Sequence, residues 1–292
     1  MRLFVVANGA KAAVREGLES SMPWLKARAE VVGVENDGGH DLAAVQADAL
    51  LVLGGDGTLL SVARRLGGRQ IPVMGFNFGR LGFLASFQPG ELKQQVEALL
   101  EGKLPVRPRM MLEASVLADG SGCDLAAWAD VARKRRFVAT ALNDAVVTAG
   151  EPFHMVELEI SADTGSGVRY FGDGVIVSTP SGSTAYNVSA GGPIISPNVD
   201  AMCITPICPH SLSFRPVVVA PGSTVVVRAV RVNAGTTLFC DGQANTKLVH
   251  GDVVVVRRGP HDLLLVENPA AGEWRDLAEK LNWAVSPKYS GA

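Results

Sequence analysis

The sequence predicts an amino-terminal α/β domain built on a parallel, Rossmann-like sheet, followed by a mostly β, sandwich-like domain. Three observations predict it. Up to about Gly102, apolar strand runs alternate with helical ones at lengths that suit βα units. The run Ala49-Leu50-Leu51-Val52-Leu53 stops at Gly54-Gly55-Asp56-Gly57, after which Leu59, Leu60, Ala63 and Leu66 recur at helical spacing. Beyond Pro105 and Pro108 the chain is β-branched and glycine-rich, with little helical periodicity. The expected division is 1–103 for the α/β domain, 104–270 for the β domain, and 271–292 for a helix and tail that packs back on the first domain.

In chain order, residues 3–7 read as the first strand, Val14, Leu18 and Leu25 as one helix face, 29–34 as a second strand and 41–45 as a short helix. The signature strand and helix at 49–66 come next. Residues 71–76 are then another strand, ending in the second glycine-bearing loop, Asn77-Phe78-Gly79-Arg80-Leu81-Gly82-Phe83. Residues 91–100 close the domain as a helix. In the β domain the expected strands are 112–117, 136–147, 155–160, 175–178, 217–219, 223–228, 237–240, 253–257 and 262–266. Residues 273–281 place Trp274, Leu277, Ala278 and Leu281 on one helical face that needs cover, before an extended tail from Trp283.

With 292 residues and 47% apolar residues, the chain has ample material for a globular core, and disorder is excluded. A net charge of −2 offers no electrostatic case for nucleic acid or an anionic membrane. No apolar run reaches bilayer length, and the apolar core of the first residues is too short for a signal peptide. Cys123, Cys203, Cys208 and Cys240 sit among apolar neighbours, as buried thiols in a reducing compartment do, so a cytoplasmic protein is expected.

Ligands of parallel α/β sheets bind at the carboxyl ends of the strands. There Gly54, Gly55 and Gly57, without Cβ atoms, let backbone N–H groups approach a phosphate at a helix N-terminus, with Thr58 beside them. Asp56 repels phosphate unless it holds a metal ion or accepts a proton from an attacking hydroxyl, both of which belong to phosphoryl transfer. Asp-Gly is equally ordinary turn chemistry, and the residues alone leave both readings open. Arg80 is placed to meet a phosphate, and Phe78 and Phe83 either flank a planar ring or fold onto the core.

In the β domain, Asn143-Asp144 interrupts an apolar strand pattern, which is costly unless both side chains find partners. A hydroxyl-rich ligand would supply them, and so would water at a bulge or strand end. The run Asp173-Gly174 to Pro193 offers many backbone donors and short acceptors, as a sugar or phosphate site needs. It contains no Gly-x-Ser-x-Gly nucleophile elbow, and the chain has no Walker-type lysine loop. Cys203, Cys208 and His210 match no zinc spacing, and Arg133-Lys134-Arg135-Arg136 reads as a solvated hairpin end.

Taken in order, Gly54-Gly55-Asp56-Gly57-Thr58, Asn143-Asp144, the run 173–193, Thr205-Pro206-Ile207-Cys208-Pro209-His210-Ser211 and Asp241-Gly242-Gln243 resemble the NAD kinases. The resemblance implies transfer of the γ-phosphate of ATP, with Mg2+ or another divalent metal held mainly by the nucleotide phosphates, to the 2′-hydroxyl of the adenosine ribose of NAD. It implies Asp56 as the proton acceptor. By motif match it places Asp56, Gly57, Phe83, Asn143, Asp144, His154, Asp173, Thr184, Ala185, Tyr186, Ser189 and Gln243 at the NAD site. It further implies homodimers or homotetramers whose subunit contacts contribute to the site. Two residues depart from the pattern: Asp144 stands where glutamate is usual, and Phe171 where relatives often carry a basic or small residue. A related lipid kinase would need an apolar groove beside the Gly-Asp-Gly turn, and a silent NAD sensor would not need Asp56.

Overall fold

The computed structural model describes residues 1–79, 82–118, 133–163, 166–211, 213–281 and 283; Arg80, Cys123 and the segment 284–292 lie outside them. The chain divides into two compact units, one of residues 1–108 with 264–292 and one of residues 109–263.

The first unit begins with β1 (Arg2–Ala7), α1 (Ala12–Arg28), β2 (Glu30–Glu35), β3 (Ala49–Gly54) and α2 (Asp56–Arg65). It continues with β4 (Val73–Asn77), α3 (Leu92–Leu100) and the short β5 (Val106–Arg109). Residues 41–45 form only a single 3-10 turn, Leu42–Ala44, capped by the Asp41 carboxylate on the Ala43 N–H at 3.0 Å. β1, β3 and β4 carry long apolar runs because helices cover them, and α1 supplies Val14, Leu18 and Leu25 to the same core. β1 pairs in parallel with β2 and β3, and β3 with β4, so the loops after β1, β3 and β4 leave from one edge.

The second unit holds two six-stranded sheets. One has β6 (Leu112–Leu117), β7 (Arg135–Ala141), β9 (Val156–Ala162), β10 (Val168–Gly172), β14 (Val225–Arg231) and β17 (Val253–Arg258), in the order β10-β9-β14-β17-β6-β7. The other has β8 (Asp144–Thr148), β11 (Gly174–Ser178), β12 (Met202–Ile207), β13 (Val217–Val219), β15 (Thr237–Cys240) and β16 (Ala244–Lys247), in the order β13-β12-β11-β8-β15-β16. A four-residue helix, α4 (Tyr186–Ser189), follows β11. Alternate residues of both sheets, among them Leu112, Ala114, Leu158 and Val254 from one and Val147, Val175, Met202 and Leu238 from the other, share one core.

Three expectations need correcting. The strand expected over 136–147 is two strands, β7 and β8, in different sheets, with the corner at Leu142-Asn143. The strand expected at 262–266 is β18 (Leu263–Val266), which joins the first unit's sheet in parallel beside β4, so the chain returns there before the expected residue 271. The run Arg133–Arg136 is not wholly solvated: Arg135 pairs with Glu113 at 2.9 Å, and Arg136 reaches the fully buried Asp252 at 2.6 Å. After β18, α5 (Glu273–Leu281) sets the Lys280 Nζ 4.8 Å from the centroid of the Phe83 ring, with Asp276 2.9 Å from the ammonium.

The last residue of β2, Glu35, is buried, and Arg65 at the end of α2 meets both its oxygens at 2.7 Å. Removing one partner of such a pair strands a charge, whereas replacing both does not. Arg65→Ala should therefore lower unfolding free energy in urea by about 3–5 kcal/mol. Glu35→Leu combined with Arg65→Leu should recover most of that loss, and equal stability of the single and double variants would contradict the argument.

Candidate functional site

In the first unit, Gly54 ends β3 and Gly55 opens α2 in an extended conformation with no side-chain cap. Gly54 is glycine for a steric reason, since a Cβ there would stand 2.3 Å from the Thr58 hydroxyl oxygen. Around Gly57 a Cβ would meet nothing within 4 Å, so the space above the turn is open.

The Asp56 carboxylate turns toward the second loop. It accepts the N–H of Phe83 at 2.8 Å, of Ala85 at 2.9 Å and of Leu84 at 3.3 Å to each oxygen. Gly82 permits this approach, because a Cβ on it would lie 2.2 Å from both carboxylate oxygens. A carboxylate has roughly four lone-pair sites; the Phe83 and Ala85 amides make one short bond to each oxygen, and the Leu84 amide is shared between the two at longer range. Phe78 and Phe83 do not flank a common space. Phe78 packs against α1, where a Cβ on Gly17 would sit 2.4 Å from its ring, while the half-buried Phe83 has Lys280 over its face.

In the second unit, the corner between β7 and β8 exposes three consecutive N–H groups, and one carboxylate takes them all. Asp241 accepts from Leu142 at 2.8 Å, Asn143 at 2.7 Å and Asp144 at 3.1 Å, and its own N–H donates to the Asp144 carbonyl at 3.0 Å. Asp241 and Gly242 both lie in the left-handed region, with φ of 52° and 65°, which suits the short polar side chain and the glycine of the turn between β15 and β16. Beyond β11, buried Asn187 donates to the Ser183 and Pro193 carbonyls and accepts from the Thr205 hydroxyl at 2.6 Å, fixing α4 over β12.

A cleft of about 340 Å3 results, lined by Asn143, Asp144, Ala185, Tyr186, Phe239 and Asp241 among others. Asn143, one of its lining residues, has its Oδ1 buried without a hydrogen-bond partner among the described residues. Tyr186 stays exposed at the rim. Burial and, second, the Asp241 charge push the Asp144 carboxyl up to about 7.

The cleft thus gathers Asn143, Asp144, Ala185 and Tyr186 of the expected set. Thr184, Ser189, Asp173, His154 and Gln243 are not in its lining: Thr184 bonds back to the Ser181 carbonyl at 3.3 Å, and the other four are exposed. Asp241 had a signal only as part of its Asp-Gly-Gln motif, since the backbone it holds is 97 to 99 residues earlier. Val146, Thr148 and Phe239, the other strand residues of the cleft, read as plain strand positions.

The amino-terminal domain model of the ATP-NAD kinases matches residues 3–104, and their carboxyl-terminal domain model matches residues 142–268. The chain belongs to the NAD kinase family. It is 37% identical to the NAD kinase of Syntrophotalea carbinolica over 89% of this chain and 90% of that one. To the NAD kinase of Desulforamulus reducens it is 38% identical, over 95% and 96%. Among solved structures, yeast NADH kinase complexed with NADH shares the fold with a TM-score of 0.86 at 24% identity, over 100% of this chain and 90% of that one. An Archaeoglobus fulgidus NAD kinase in complex with ATP shares it at 0.70 and 24% identity, over 92% and 94%.

Because the Asp144 carboxyl is raised, the folded state holds a proton that the unfolded chain gives up near pH 3.8. The resulting stabilisation is fully present below that value and is lost as pH rises through about 7. Asp144→Asn is neutral throughout, so its melting temperature should fall less than the parent's between about pH 5 and 8. A parallel fall in the two proteins would show that Asp144 is already ionised at acid pH.

Proposed function

We propose that this NAD kinase transfers the γ-phosphate of ATP to the 2′-hydroxyl of the adenosine ribose of NAD, with Asp56 as the proton acceptor. The observation that carries the reading is the match of both kinase domain models, because the first includes Asp56 and the second the Asn143-Asp144 cleft. In the reaction, the ribose oxygen forms its bond to the γ-phosphorus as the bond to the β–γ bridging oxygen breaks. Asp56, held by the Phe83 to Ala85 amides, takes the hydroxyl proton.

Asn143 and Asp144 fix the ribose hydroxyls. The unpartnered Asn143 Oδ1 supports this, since a buried amide oxygen gains from a donor brought by the ligand. Tyr186 covers the dinucleotide from the rim. Phe83, Thr184, Ala185, Ser189, His154, Asp173 and Gln243 complete the dinucleotide contacts, and Gly54, Gly55, Gly57 and Thr58 form the phosphate turn. Self-association into dimers or tetramers brings the exposed His154 and Asp173 to use, and the family resemblance supports it. The divalent ion that the family resemblance implies would be carried on the nucleotide phosphates; among the described residues no group of three or more His, Cys, Asp or Glu is disposed to hold a metal ion. Such an ion neutralises charge on the transferred phosphoryl group. No described helix is long and apolar enough to cross a membrane. Cys203 and Cys240 are buried thiols, which suits a cytoplasmic enzyme, whereas Cys208, expected to be buried with them, is exposed. Neither a lipid kinase nor a silent sensor has support in the comparisons.

The test is to supply the purified chain with ATP, magnesium and NAD and to read NADP with an NADP-specific dehydrogenase. NADP should form in the parent. Asn143→Ala should raise KM for NAD roughly tenfold or more with little change for ATP, as expected when one substrate loses a binding contact. Equal rises for the two substrates would remove Asn143 from the ribose site.

A further inference from the structure

The loop after β1 brings a cation to the phosphate turn. The Asn8 N–H bonds to the Leu53 carbonyl of β3 at 2.9 Å, and the Lys11 N–H bonds to the Asn8 carbonyl at 3.1 Å just before α1 begins. The Lys11 side chain then crosses toward the ends of β3 and β4. A Cβ built on Gly55 would lie 3.8 Å from Lys11 Nζ, and one built on Gly79 would lie 3.4 Å from it. The ammonium therefore stands over two bare stretches of backbone, one from each of the two glycine loops.

Its charge is not compensated among the described residues. Asp56, the carboxylate of the same turn, is engaged with the Phe83 to Ala85 amides. Asn77 Oδ1, which a Gly55 Cβ would approach to 3.9 Å, accepts the Gly79 N–H at 2.9 Å. The Lys11 ammonium makes no hydrogen bond or ion pair among the described residues. A free ammonium, the uncapped start of α2 and the open space above Gly57 all favour an anion at this place.

We propose that Lys11 binds the terminal phosphates of ATP and stabilises the phosphoryl group in flight. This rests on the reading of the 54–58 turn as the phosphate cradle. The γ-phosphorus leaves the β–γ bridging oxygen, which departs with the ADP phosphates, and gains the ribose oxygen, whose proton goes to Asp56. Lys11 keeps all its protons and acts as a fixed positive charge.

The experiment compares Lys11→Met and Lys11→Arg with the parent, as full chains. Magnesium-ATP binding is measured by calorimetry without NAD, NAD binding separately, and kcat/KM for each substrate in the coupled assay. Removing a charge-assisted phosphate contact should weaken magnesium-ATP binding in Lys11→Met roughly 10- to 100-fold, with a similar fall in kcat/KM for ATP. NAD affinity should move less than about threefold, and Lys11→Arg should restore most of the ATP affinity. Magnesium-ATP binding by Lys11→Met within about threefold of the parent would overturn the proposal. So would equal losses in the Met and Arg variants, which would assign the effect to packing. A parent chain that binds magnesium-ATP yet forms no NADP would reject the kinase reading instead, while the binding comparison would still decide the role of Lys11.

Discussion

Peptide N–H groups that leave a sheet need acceptors, and at both candidate sites of this protein the acceptor is an aspartate carboxylate. Asp56 gathers the amides of Phe83, Leu84 and Ala85, and Asp241 gathers those of Leu142, Asn143 and Asp144. Unsatisfied buried amides cost about 1–3 kcal/mol each, so each carboxylate ties down three consecutive residues of its loop. In the first unit this sets the path of the loop after β4 and the facing position of Gly82. In the second it sets the corner at which the chain changes sheet, and with it the mouth of the cleft.

The two carboxylate clusters differ in what they leave for chemistry. Asp56 is half-buried beside open space, and a lysine ammonium with no partner among the described residues stands over the same turn, so the local charge invites an anion. Asp144 sits beside a second carboxylate in a buried cleft, where its own charge is disfavoured near neutral pH. A ribose, which offers hydroxyl donors and no charge, suits such a place better than a phosphate does. Asp144 opens β8 on the same sheet face as Val146 and Thr148.

Much of the α/β unit was legible because its strands are unbroken apolar runs ended by glycine, as Ala49 to Gly54 shows. The β unit was less so. Nothing in the run 136–147 marks the corner, since Ala141 and Leu142 are buried and apolar like the strand residues around them, and only Asn143-Asp144 hints at it. Leu263–Val266 reads as one more β-domain strand, and its pairing with β4 is a long-range event that no local pattern records. Met202–Ile207 carries Thr205 and Pro206 at positions that obscure the strand, although the hydroxyl of Thr205 is what ties down Asn187. At the candidate site, Asn143, Asp144 and Tyr186 were visible as polar interruptions or motif members. Lys11 was not, because an isolated lysine before a helix looks like any solvated cation until the fold brings it to the glycine turn.

The central claim is that Asp56 serves at once as the anchor of the 83–85 backbone and as the base of the reaction. Turnover of Asp56→Asn across a magnesium titration, with amide exchange at 83–85 followed in the same samples, tests it most directly. An amide presents only one acceptor oxygen to the three donors and cannot take the ribose proton, so exchange at 83–85 should quicken. Turnover should fall roughly 10²–10⁴-fold and stay low as magnesium rises. Turnover near that of the parent, or recovery at high magnesium, would contradict the account and leave Asp56 as a turn residue or a metal ligand.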